Sequence, residues 1–188
     1  MVGVTPGRLR LLIGGGAFAI LALVAFFSFR GAQQDREAPP TDNTSPSAFN
    51  LPALEGDGRV RLADFEGTPL VVNFFASWCG PCDLELPHFA DAARKLEGKV
   101  NFVAVNAQEV RPDAGLNMAE RHGLEEAGIT LARDVGGRAG SQLHDALGRG
   151  MPLNAFYDAD GTLLEVGRGA LLEGKLAAAL QRIYGVTY

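Results

Sequence analysis

The chain has 188 residues, 47% of them hydrophobic, and a formal net charge of −5. That length suits one compact domain with something attached, and the acidic balance, with no basic stripe beyond the extreme N-terminus, argues against a nucleic-acid partner. With two cysteines in all, neither a multiply stapled scaffold nor a four-cysteine zinc module is available.

Arg8 and Arg10 precede an uncharged apolar run over residues 11–29, closed by Arg30. At ~1.5 Å per helical residue, about nineteen residues come close to the ~30 Å hydrocarbon layer. One N-terminal transmembrane helix is therefore predicted. The run ends on Phe26, Phe27 and Phe29, which offer no small-x-small cleavage site, so the helix is expected to stay as an anchor. The flanking arginines put residues 1–10 in the cytoplasm by the positive-inside rule. A single pass through the cytoplasmic (inner) membrane then leaves the rest on the extracytoplasmic, periplasmic side. Residues 30–48 are polar and carry Pro39, Pro40 and Pro46; they are expected to be a flexible linker. Residues 49–188 form the predicted domain.

Within that domain, short alternating runs at 49–51 and 60–62 flank Glu55-Gly56-Asp57-Gly58, the pattern of a β-hairpin. Residues 70–75 are apolar on both faces except at Asn73, as in a strand covered on both sides. A helix is predicted from Cys79 to about Leu96, with Pro87 inside it as an expected kink. A strand follows at 100–105, a weak helix at about 113–127, a short extended stretch at 129–132 and a helix at 137–147. Residues 153–157 and 162–166 form a second hairpin around Asp158-Ala159-Asp160-Gly161. Leu172, Leu176, Ala179, Leu180 and Ile183 then recur at helical spacing. The order β–α–β–α–β–β–α predicts an α/β domain with a mixed central sheet, helices on both faces and an added N-terminal β-hairpin.

Both cysteines stand together in Trp78-Cys79-Gly80-Pro81-Cys82, between a strand and a helix. A helix N-terminus offers unpaired N–H groups and positive dipole charge, which stabilise a thiolate. Cys79 is thus the expected exposed nucleophile, and Cys82, one turn inward, the resolving cysteine. Gly80 permits close approach of a partner, and Pro81 in the first helical turn costs no backbone bond. Structural zinc is disfavoured because no second cysteine pair exists and His88, His122 and His144 are scattered. A disulfide closing so short a loop is also a poor structural staple. No cofactor is expected beyond the redox-active pair. Trp78 is either a shield over the pair or a core residue.

This element order and the Trp78–Cys82 motif resemble the thioredoxin fold, and more narrowly the TlpA/ResA-like branch of membrane-anchored thiol–disulfide oxidoreductases. The narrower likeness rests on the entry segment from Phe49 to Leu54, on Asn73, on Glu85 and Pro87 after the second cysteine, on Gly150-Met151-Pro152, and on Asp158-Ala159-Asp160-Gly161. It covers about residues 49–185.

The resemblance implies a cis bond before Pro152, with Met151 offering its backbone to a substrate strand. It implies a functional carboxylate at Glu85, where periodicity alone favours a surface glutamate beside Asp83. It also implies a reductase of protein disulfides, drawing electrons from a transmembrane thiol donor. Its substrates would be apocytochrome c or the copper-site protein of an oxidase. The alternatives are a disulfide oxidase or isomerase and a non-enzymatic metal-handling module. Leu153-Asn154 stands where the branch often has Thr-Thr, and Phe75 where it often has Trp. Both departures are expected near the surface that meets the partner.

Overall fold

A computed structural model of the chain describes residues 46–111, 113–135, 142–172 and 174–188. The predicted anchor at 11–29 and all but the end of the predicted linker lie outside them. Among the described residues no helix is long and apolar enough to cross a membrane.

Five strands form the central sheet, in the order β5 (Thr130–Asp134), β4 (Asn101–Ala107), β3 (Leu70–Phe75), β6 (Leu153–Tyr157), β7 (Leu163–Arg168). β3 pairs with β4, and β4 with β5, in parallel; β6 pairs antiparallel with β3 and with β7. The predicted mixed sheet is therefore present. β3 sits at its centre with all six residues buried, which explains why its sequence is apolar on both faces.

Strand alternation sorts the core into two halves. On one face Val71, Phe75, Phe102 and Phe156 pack against α1 (Gly80–Lys95), α2 (Ala114–Arg121) and α4 (Lys175–Tyr184) through Leu86, Phe89, Met118 and Leu180. On the other, Leu70, Val72, Phe74, Val105 and Leu153 meet Leu143 of α3 (Gln142–Ala146) and the N-terminal hairpin. Of the helix predicted at 137–147, residues 142–146 are described and helical; 137–141 lie outside the described residues.

The N-terminal hairpin, β1 (Asn50–Pro52) and β2 (Arg59–Arg61), pairs antiparallel. It is tied to the sheet edge by an Ala53–Ala132 bridge and by a Leu54 N–H donating to the Leu131 carbonyl at 3.1 Å. An otherwise open edge strand is thereby covered. α4 ends at Gly185, whose φ of 70° suits a glycine stop, with its N–H on the Gln181 carbonyl.

Candidate active site

Because β3 and β4 run in parallel with Phe75 beside Asn106, their C-terminal ends open on the same side. Crevices at carboxyl strand ends are where open α/β sheets hold their chemistry. The chain leaves β3 through Ala76, Ser77 and Trp78 and enters α1 with Cys79 as N-cap and Pro81 in the first turn. Cys79 and Cys82 form a disulfide. The Cys82 N–H donates to Cys79 Sγ at 3.2 Å, and the N–H groups of Cys82 and Asp83 reach the Cys79 carbonyl. A negative charge developing on Cys79 sulfur therefore meets a backbone donor at the positive end of a 16-residue helix. In this oxidised form Cys79 is 4% exposed, more enclosed than the sequence suggested, and Cys82 is fully buried.

Trp78 is not core. It is 49% exposed, and its indole N–H donates to the Gln108 carbonyl at 2.9 Å. The loop after β4 also carries Glu109, which the sequence reading passed over. Its carboxylate accepts from the Ser77 N–H at 2.8 Å and the Ser77 hydroxyl at 2.9 Å, and from the Val110 and Arg111 N–H groups. Burial pushes this carboxyl up, but the hydrogen bonds from Ser77, Arg111 and Val110 outweigh it and hold the group below the ordinary glutamate value. Glu109 is thus a carboxylate brace joining the β4 loop to the residues just before Cys79. An acidic residue at the carboxyl end of the strand beside β3 was the signal that could have found it.

Glu85 departs from what periodicity favoured. It lies one turn beyond Cys82 and is completely buried, in one stripe with Cys82, Leu86, Phe89 and Ala93. Its Oε1 accepts from the Asn73 side-chain amide at 2.6 Å and its Oε2 from the Leu171 N–H at 2.9 Å. Burial raises its pKa to about 7; the Leu171 and Asn73 donors pull the other way, and the neighbouring Asn154 amide acts in the same sense as they do.

Pro152 follows a cis peptide bond after Met151, as the resemblance implied. Pro152 is buried, and its carbonyl accepts from the Gly169 N–H at 2.9 Å. Met151 is half-buried against both halves of the core. The loop is held from below by His144, a buried imidazole whose Nε2–H donates to the Gly150 carbonyl at 2.7 Å.

The two departures expected at the partner surface are elsewhere. Phe75, Leu153 and Asn154 are all fully buried. They sit within β3 and β6, the middle of the sheet, where both faces are covered. Among the described residues no group of three or more His, Cys, Asp or Glu is placed to hold a metal.

Comparison with known proteins agrees with this geometry. The AhpC/TSA family pattern matches residues 43–165. The chain belongs to the AhpC/TSA family. It is 33% identical over 171 residues to the thiol:disulfide interchange protein DsbE of Pseudomonas fluorescens biotype C, covering 88% of this chain and 91% of that one. It is 29% identical over 175 residues to the thiol-disulfide oxidoreductase ResA of Bacillus thuringiensis (strain Al Hakam), covering 92% of each. Among solved structures, MTB dsbF in its mixed oxidized and reduced forms superposes with a TM-score of 0.62 at 23% identity, covering 73% of this chain and 96% of that one. This last likeness shows the thioredoxin-like fold alone. Together with the Cys79–Cys82 pair, the curated relatives make this chain a thiol–disulfide oxidoreductase of the DsbE/ResA type.

Proposed function

We propose that the protein is a membrane-tethered reductase of protein disulfides on the extracytoplasmic side of the cytoplasmic membrane, serving cytochrome maturation. The observation that carries the reading is the buried carboxylate of Glu85, one helical turn from Cys82. A group poised near neutrality beside a resolving thiol can accept and return the proton that each exchange step moves.

In the reduced protein the Cys79 thiolate attacks one sulfur of a substrate disulfide. A bond forms between Cys79 and that sulfur, the substrate bond breaks, and the second substrate sulfur leaves as a thiolate and takes up a proton. Cys82 then gives its proton to Glu85 and attacks Cys79 Sγ. The Cys79–Cys82 disulfide forms, the mixed disulfide breaks, and the substrate leaves with both thiols reduced. Two electrons have passed to the substrate. A transmembrane thiol donor restores the pair by the reverse sequence, with Glu85 returning the proton to Cys82.

Met151 and Pro152 would present backbone to an extended substrate segment, with Trp78, Gly80 and Pro81 forming the wall beside Cys79. Reducing rather than oxidising poise is supported by Gly80-Pro81 between the cysteines. The uncharged apolar run at 11–29, read as an anchor, supports the location. Apocytochrome c heme-attachment cysteines, or the copper-site cysteines of an oxidase, are the substrates in this reading.

The test is a reduction potential measured on the full chain, with insulin reduction and trapping by Cys82→Ala. A potential near the thioredoxin value of about −270 mV and a stalled mixed disulfide at Cys79 are expected. A potential near about −120 mV would replace the reductase by an oxidase.

A further inference from the structure

Asn73 and Asn154 face each other across the antiparallel β3–β6 pair. Alternation along both strands turns them to the face that α1 covers, where Glu85 is buried. The two hydrogens of the Asn73 amide are both used, one on Glu85 Oε1 at 2.6 Å and one on Asn154 Oδ1 at 2.9 Å. The other ends of the two amides, Asn73 Oδ1 and Asn154 Nδ2, are buried without a hydrogen-bond partner. Oriented this way the pair suits a carboxylate: both Glu85 oxygens face N–H donors, and a proton placed on Oε1 meets a donor of Asn73 where it needs an acceptor.

We propose that Asn73 and Asn154 form a coupled amide pair that reverses together when Glu85 gains a proton, which makes Asn154 a positioning residue for proton transfer at Cys82. A half-turn of each side-chain amide exchanges its nitrogen and oxygen in place. Asn73 Oδ1 then accepts from the Glu85 O–H and from Asn154 Nδ2, so the same three-residue chain is satisfied with every donor and acceptor inverted. Asn154 is needed because a lone Asn73 would turn freely, whereas its partner makes each orientation the matched one for a protonation state of Glu85. The departure at Asn154 is thus tied to the buried acid, not to a partner surface.

The surroundings leave Glu85 to this pair. Its other direct donor is the Leu171 N–H, which cannot invert. On α1, Cys79 and Cys82 are held as the disulfide, Asp83 is paired with Arg121 and His122, and His88 is half-buried one turn further on. From α4, Lys175 and Arg182 are exposed, Arg182 being bound to Glu165 of β7. β3 and β6 contribute only the two asparagines.

The inference rests on Glu85 being the proton carrier of the proposed reaction, and it is tested without turnover. Oxidised full-length protein, labelled with ¹⁵N-asparagine and ¹³C-carboxyl glutamate, is titrated from pH 5 to 9 by NMR. The side-chain amide signals of Asn73 and Asn154 are expected to move together, with one midpoint shared with the Glu85 carboxyl. In Glu85→Gln both should be flat. A static Asn154 while Glu85 titrates, amide shifts that persist in Glu85→Gln, or a Glu85 carboxyl that does not titrate in this range would each overturn the proposal.

Substitution gives an independent arm. Asn154→Leu should raise the Glu85 midpoint by about one unit and slow insulin reduction at pH 7 about tenfold. Asn154→Thr, whose hydroxyl can both accept and donate, should keep the wild-type pH profile. Equal losses in Leu and Thr variants with unmoved midpoints would mark Asn154 as packing alone. Failure of wild-type protein to reduce insulin at any pH would instead count against the reductase reading.

Discussion

Glu85 is a buried carboxyl that changes charge near neutrality in the oxidised protein, in which the disulfide-bonded Cys79 and Cys82 do not titrate. Its pKa is raised from the ordinary 4.5 to about 7 in the fold. The folded state therefore binds the proton more tightly than the unfolded state. The resulting stability is complete below about pH 4.5 and is lost as pH rises through about 7. The loss amounts to roughly 3 kcal/mol. Chemical unfolding of oxidised wild type should show this decline, and Glu85→Gln should flatten it by a comparable amount; equal pH slopes for the two proteins would disprove the shift. The same residue shows where sequence reading stops. Cys82, Leu86, Phe89 and Ala93 recur at spacings of four, three and four, and Glu85 falls inside that stripe. The position was legible, but an acid there reads as surface until a donor such as Asn73 is known to reach it. That donor comes from register, which the sequence of one strand does not specify.

At the scale of elements, the active-site turn is held from the side by the β4 loop. The Glu109 brace ties Ser77 to residues 110 and 111, and the Asn106 side chain reaches both Glu109 and the Phe75 carbonyl at 3.4 Å. α2 closes over this arrangement at Gly115, where an added Cβ would stand 2.4 Å from the Asn106 side chain. Gly115→Ala is expected to cost about 1–3 kcal/mol, seen as a lower Tm, because Asn106 must give up its position. Adding Asn106→Ala should recover part of that loss; a double variant no better than the single one would assign the cost to something other than this contact. Glu109→Ala should leave the fold largely intact while lowering the rate of Cys79 attack several-fold, measured as insulin reduction, since the Ser77 N–H and hydroxyl lose their acceptor. An unchanged rate would make the brace dispensable. The strands, α1 and α4 were readable because continuous or alternating apolar runs mark strands and apolar residues at helical spacing mark helix faces. The brace was not, since it depends on two strand ends meeting, and parallel pairing brings together residues 32 positions apart.

For the whole molecule, the strand order and the two-sided core account for how residues spread over 73–171 converge on one helix. The central order β4-β3-β6 brings the cysteine-bearing turn, the Glu109 loop and the Met151–Pro152 segment to neighbouring strands. The α/β class and the entry hairpin followed from the order of runs alone, because a strand–helix–strand alternation leaves few ways to bury both sheet faces. Membrane attachment is tested at this scale too. Full-length protein should sediment with membranes and resist extraction by high salt or carbonate, and removal of residues 1–30 should release a soluble, redox-competent protein. Release of the intact chain by salt would contradict a spanning helix.

Trp78 is the only tryptophan in the chain, it adjoins Cys79, and its ring is half in solvent while its nitrogen is fastened to the Gln108 carbonyl. Intrinsic tryptophan emission from this protein therefore comes from a single site beside the reacting sulfurs. Opening or closing the neighbouring disulfide, or covering the ring with a substrate chain, should alter its intensity and wavelength without any added dye. The fold has in effect placed an optical gauge beside its own chemistry, against which the rates of every variant above can be read in real time.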